Sequence, residues 1–158
     1  MNNFLEECFN VIQDDGHDVL YISTFGSYLY GTDNQNSKFG CISDKDFSGI
    51  FQPSLKSCLM GNIPKSYTFS TGDKDGKNSS EDIDIQFWSL QYWMELLRKG
   101  ETNAIDLLYS HTYPEMIVYN SGYLERLFRH HQILFDVNEY RGRNHAMGVL
   151  QNYQKIFS

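Results

Sequence analysis

The run Val19-Leu20-Tyr21-Ile22-Ser23-Thr24-Phe25 carries no charge and ends on Gly26-Ser27. A short apolar run bounded by a turn reads as a buried strand. Two later segments repeat the strand signal. Ile42 to Phe51 carries two alternating acids, Asp44 and Asp46, and is stopped by Pro53. Glu81 to Trp88 alternates polar and apolar residues, as a half-buried strand does. Helical patterns are interleaved with these strands. Phe4 to Gln13 places Phe4, Leu5, Cys8, Val11 and Ile12 at helical spacing, and Leu90 to Arg98 sets Leu90, Trp93, Met94 and Leu97 on one face with Gly100 as C-cap. The mixture predicts an α/β chain of the α+β type, a mixed sheet flanked by helices. Weaker signals add a short helix over Leu55–Met60, a strand over Ser66–Ser70 and helical turns over Asn103–Tyr109, Ser121–His130 and Arg143–Ile156.

The chemistry sits where the first strands end. Gly26 lets the backbone come close to a phosphate, and Ser27 adds a hydroxyl where a short helix beginning at Tyr28 would point its free N–H groups. Asp44 and Asp46 are two apart, so on a strand both carboxylates project from one face, roughly 6–7 Å apart along the backbone. Asp82 and Asp84 repeat that arrangement on the later strand. Three carboxylates on neighbouring strands suit a pair of divalent metals about 3.5–4 Å apart. One would hold a nucleoside triphosphate and the other would lower the pKa of an attacking hydroxyl. Magnesium, with manganese as its substitute, fits an all-oxygen donor set shared with substrate phosphates.

These residues resemble the nucleotidyltransferases of the DNA polymerase β superfamily, marked by a Gly-Ser turn, an Asp-x-Asp pair and a later third acid. The likeness is closest to a small bacterial and phage branch with a Gly-Ser-x-x-Tyr-Gly turn, matched by Gly26 to Gly31, and a Ser-Asp-x-Asp strand, matched by Ser43 to Asp46. It continues through Trp88-Ser89-Leu90 and the block from Leu97 to Ser110, and covers roughly Tyr21 to Ser110. The resemblance implies the polymerase-β-like fold with a helical C-terminal segment. It implies that Gly26 and Ser27 hold the β- and γ-phosphates, that Asp44 and Asp46 bind the metals, and that Asp84 is the third acid, also a metal ligand, with Asp82 its runner-up. The implied reaction moves a nucleoside monophosphate from an NTP to an acceptor hydroxyl on RNA, a protein or a small molecule. A second reading keeps the fold without catalysis, as a phage-type binding protein that sequesters a nucleotide or blocks a host partner.

Within the last block, Asn103 reads either as a nucleotide contact or as a helix cap, while Lys99 and Asp106 read as solvated surface. The loop from Gly72 to Ser80 invites a calcium reading, but with Asp73 leading, the sixth position is Asn78 instead of glycine. A hairpin loop between two strands is the better account.

Composition bounds the rest. At 158 residues the chain suits one domain, with a core of about 18–110 and a helical part of about 111–158. Cys8, Cys41 and Cys58 have no paired spacing and read as reduced thiols. The absence of a long apolar run and of a basic leader predicts a soluble cytoplasmic protein with no membrane contact. A net charge of −7 argues against non-specific coating of nucleic acid. From Glu125 onward the basic residues Arg126, Arg129, Arg141, Arg143 and Lys155 outnumber the acids, a surface for a triphosphate or RNA, or an ordinary helical face. Met147, Leu150, Tyr153 and Phe157 form a stripe that would pack on its own domain or make a homo-oligomer seam.

Overall fold

The computed structural model describes residues 2–26, 45–72 and 82–130. Helix α1 (Asn3–Asp14) opens on Asn2, whose side chain accepts from the Leu5 N–H at 3.2 Å. It leads into β1 (Asp18–Phe25), followed by β2 (Lys45–Gln52), the short α2 (Leu55–Leu59), β3 (Ser66–Ser70) and β4 (Ile83–Ser89). After β4 come α3 (Leu90–Lys99), α4 (Thr102–Tyr109), β5 (Ile117–Asn120) and α5 (Glu125–Arg129). The strands form one mixed sheet in the order β3-β4-β2-β1-β5, with β2 and β4 parallel and the other neighbours antiparallel.

Strand alternation divides the core between the two faces of this sheet. On one face α1 buries Leu5, Cys8 and Ile12 against Ile22, Phe51, Ile85 and Phe87. On the other, Trp93 and Leu97 of α3, Leu107 and Leu108 of α4 and Phe128 of α5 cover Tyr21, Ile50 and Trp88. Each fully buried large side chain stabilises the fold by about 1.5–3 kcal/mol. Two polar groups carried inside find partners there. The Trp93 indole N–H donates to the Ala104 carbonyl at 3.1 Å, and the Tyr21 hydroxyl meets Ser110 Oγ at 3.0 Å. Burial, reinforced by Glu7, pushes the Cys8 thiol up to about 11, so it stays protonated and inert at neutral pH.

The expected mixed sheet with flanking helices is present, and α3 closes on Gly100 at φ 77°. Three local expectations change. The stretch after residue 110, expected to be helical, contributes β5 to the sheet edge beside β1. Helix content between 121 and 130 shrinks to α5 because Gly122, at φ 84°, turns the chain first. Asn103 is no cap: the N-cap of α4 is Glu101, and Asn103 lies exposed in the first turn of the helix. The antiparallel β3–β4 pair agrees with a hairpin connection, although residues 73–81 lie outside the described set. The expected helix at Tyr28, the polar loop to Gly40 and the C-terminal helix with its stripe lie outside it too.

Candidate active site

The parallel ladder between β2 and β4 pairs Asp46 with Asp84. Residues paired in register lie on the same face, and neighbouring strands are about 4.8 Å apart. Two carboxylates from distant parts of the sequence therefore stand side by side, each half-buried. The antiparallel ladder to β1 places Phe25 opposite Asp46, so β1 ends at the same edge. Gly26 follows at once with φ 68°. A methyl group there would run onto Asp46 Oδ2 and lie 3.3 Å from Asp46 Cβ and Cγ. The turn thus needs glycine for its left-handed backbone and for the carboxylate that leans on it.

The sheet face is graded in rows. Tyr21, Ile50 and Trp88 form the row inside the core; Ser23, Ser48 and Gln86 form the next; Phe25, Asp46 and Asp84 form the last. Ser23 and Ser48 are buried. Ser23 Oγ and Thr24 Oγ1 both donate to the Met116 carbonyl, at 3.1 and 3.2 Å, and this ties the turn before β5 to the end of β1. At the same edge Thr24, Lys45, Asp46 and Phe47 line a pocket of about 250 Å³.

Of the residues singled out by sequence, Gly26, Asp46 and Asp84 are brought together. Ser27 and Asp44 lie outside the described residues. Asp82 precedes β4, and its carbonyl accepts from the Lys45 N–H at 3.1 Å, which aligns the two strands at the acidic end. No hydrogen bond among the described residues links Asn103 to Gly26, Asp46 or Asp84. Lys99 pairs with Glu95 at 2.7 Å on an exposed face of α3, as a solvated cation. Ser48, Gln86 and Lys45 escaped the sequence reading. The signal for the first two was the same two-residue step, inward from Asp46 and from Asp84.

A family model described as the RNA repair pathway DNA polymerase beta family matches residues 2–154. The chain belongs to this family. Its mixed sheet with flanking helices is consistent with the polymerase-β-like fold expected of members. An uncharacterised 38.9 kDa protein of enterobacteria phage T4, from the nrdC–mobD intergenic region, is 38% identical over 96 residues. That match spans 61% of this chain and 26% of the phage protein, so the chain corresponds to about a quarter of the relative.

Membership makes a divalent metal at the acidic edge an expectation. Among the described residues no group of three His, Cys, Asp or Glu is placed to hold a metal. The described pair, Asp46 and Asp84, supplies only oxygen donors from adjacent strands, which fits a hard divalent cation. Among the described residues no helix is long and apolar enough to cross a membrane.

Proposed function

We propose that the protein is a metal-dependent nucleotidyltransferase that moves a nucleoside monophosphate from an NTP to an acceptor hydroxyl. The acceptor oxygen attacks the α-phosphorus, the bond to the β-phosphate breaks, and pyrophosphate leaves. The observation that carries this reading is the in-register pair Asp46 and Asp84, at the edge where β1 ends on Gly26. Magnesium or manganese, held by Asp46 and Asp84 with Asp44, would supply charge neutralisation for the triphosphate and acidify the acceptor hydroxyl. Asp84 positions the acceptor and takes its proton. Gly26 keeps the turn close enough for its backbone, with Ser27, to grip the phosphate tail. Reactions of this kind depend chiefly on positioning and electrostatics, which a rigid ladder supplies. The family's description makes an RNA end the acceptor to try first, ahead of a protein hydroxyl or a small molecule.

The test incubates the wild type, Asp46→Asn and Asp84→Asn with each α-labelled NTP, magnesium or manganese, and RNA or cell lysate. Label should move onto an acceptor with the wild type and fall at least about a hundredfold in either variant. Equal labelling by all three proteins, or none by a folded wild type, overturns the reading. In the second case a sequestering protein of the same fold takes its place.

A further inference from the structure

The helical side of the sheet carries a second concavity, away from the acids. Leu90 and Met94 stand one turn apart on α3, and Leu124 and Leu127 stand three residues apart where α5 begins. With the exposed Arg126 and His130 they line a groove of about 540 Å³. Leu90 follows Ser89 directly, so the groove lies at the end of β4 opposite Asp84. Leu124 is buried, while Leu90, Met94 and Leu127 are only partly covered by the core they pack against. Side chains three or four apart form a ridge on a helix, and the furrow between two such ridges suits a third helix. The lining also selects the chemistry of its occupant. A nucleic acid needs a row of cations along its backbone, and Arg126 and His130 are the lining residues able to supply charge. An amphipathic helix needs hydrocarbon, which the leucines and Met94 provide.

The chain itself carries a matching stripe. Met147, Leu150, Tyr153 and Phe157 follow one another at steps of three, three and four residues. The family match runs through residue 154, so most of the stripe belongs to the same family unit as the sheet. The described chain ends at His130, itself a groove residue. Residues 131–146, extended, reach up to about 50 Å, far beyond the roughly 15 Å length of α3. A cavity of about 150 Å³ takes one benzene ring, so the groove has room for about three large side chains. A tether that starts at the groove holds its own stripe there at millimolar effective concentration, which a second copy would have to outcompete. We infer that residues 144–157 dock as an amphipathic helix in the groove between α3 and α5 and complete the apolar core on that side. Docking at that end leaves Asp46 and Asp84 clear.

The test is amide hydrogen exchange of the full chain, read by mass spectrometry at two protein concentrations, with sedimentation to give the oligomeric state. Wild type, Met94→Glu, Leu127→Glu and Leu150→Glu are compared. Residues 144–157 should be protected in the wild type, equally at both concentrations and in a monomer. A carboxylate placed at the contact from either side should speed their exchange at least about tenfold. Leu150→Glu should also speed exchange over residues 90–98 and 123–130. Peptides from β1, β2 and β4 report whether the sheet stays folded. Should Met94→Glu or Leu127→Glu loosen the sheet, Leu150→Glu decides, because it changes no residue of the described core. Unprotected residues 144–157 in the wild type, or protection that survives Leu150→Glu, overturns the inference. So does a loss confined to 144–157 that leaves 90–98 and 123–130 unchanged. Protection that falls on dilution as a dimer dissociates also overturns it, and gives the groove to a second copy of the chain.

Discussion

Replacing Gly26 by alanine separates two costs that the structure predicts at one position. The backbone there sits at φ 68°, where an alanine loses about 1–2 kcal/mol to the clash of its own Cβ with the chain. For a chain of this size, each kcal/mol lowers Tm by about 2–4 °C, so the backbone term alone is worth about 2–8 °C. The second cost is local. The new methyl would land on the Asp46 carboxylate, and Asp46 cannot retreat easily because it is laddered between Phe25 and Asp84. Gly61 and Gly122 supply the controls: they share the left-handed backbone, at φ 67° and 84°, and a Cβ on either meets nothing within 4 Å. Gly61→Ala and Gly122→Ala should therefore show the backbone cost by thermal melting and retain nucleotide binding and transfer. Gly26→Ala should lose more stability than either. It should also lose at least about a hundredfold in transfer, the scale expected when a reacting group is displaced by about 1 Å. If Gly26→Ala melts with the controls and still transfers at the wild-type rate, the contact between the turn and Asp46 is not what orders this edge.

Two further outcomes concern stability. His17 is buried, stacks on Phe51 with centroids 5.4 Å apart, and its Nδ1 accepts from the Ser54 N–H at 2.9 Å where α2 begins. His17→Ala strands that donor, and should cost about 1–3 kcal/mol by denaturant unfolding; an unchanged midpoint would refute the role. Tyr67, whose hydroxyl donates to Asp15 Oδ2 at 2.8 Å, is pushed up to about 12, first by burial and then by that carboxylate. The folded chain holds this proton more tightly than the unfolded one, so its stabilisation is intact below the ordinary phenol value near 10 and is lost as pH rises toward 12. Cys8 is shifted in the same direction, so the measurement is the difference between wild type and Tyr67→Phe across that window, which should show a shallower alkaline loss in the variant.

What was legible in the chain was what repeats along it. The period-two pattern of Glu81–Trp88 and the helical stripe of Leu90–Leu97 each specify an element and the face it buries, and both are found as β4 and α3. Ile117–Asn120 is too short to show a period, and its strand conformation is decided by the open edge of β1, a partner nearly a hundred residues away. The site divides along the same line. That Asp84 projects from a strand face follows from alternation. That its neighbour is Asp46 depends on β2 and β4 being parallel and adjacent, which local sequence does not encode. An amide near a helix start is a good capping group, which makes Asn103 a cap candidate in the sequence, whereas the N-cap of α4 is Glu101, two residues earlier, with no side-chain cap hydrogen bond.

The grading of the β1–β2–β4 face explains how a core and an acidic edge coexist on one sheet. Carboxylates buried in the innermost row would face desolvation costs of several kcal/mol each. Two residues outward, hydroxyl and amide side chains, Ser23, Ser48 and Gln86, form an intermediate row, and the acids stand one step beyond it where they are half-exposed. The same register that buries Ile50 and Trp88 therefore delivers Asp46 and Asp84 to the edge. A slip of one residue between β2 and β4 would turn Asp84 toward α1 and bring Ile85 to the site. It would also send Phe87, packed against Gly49, out of the α1 core. Any sequence change that preserves the packing of this ladder preserves the position of its acids, because the hydrophobic pattern and the candidate site are set by one alignment of strands.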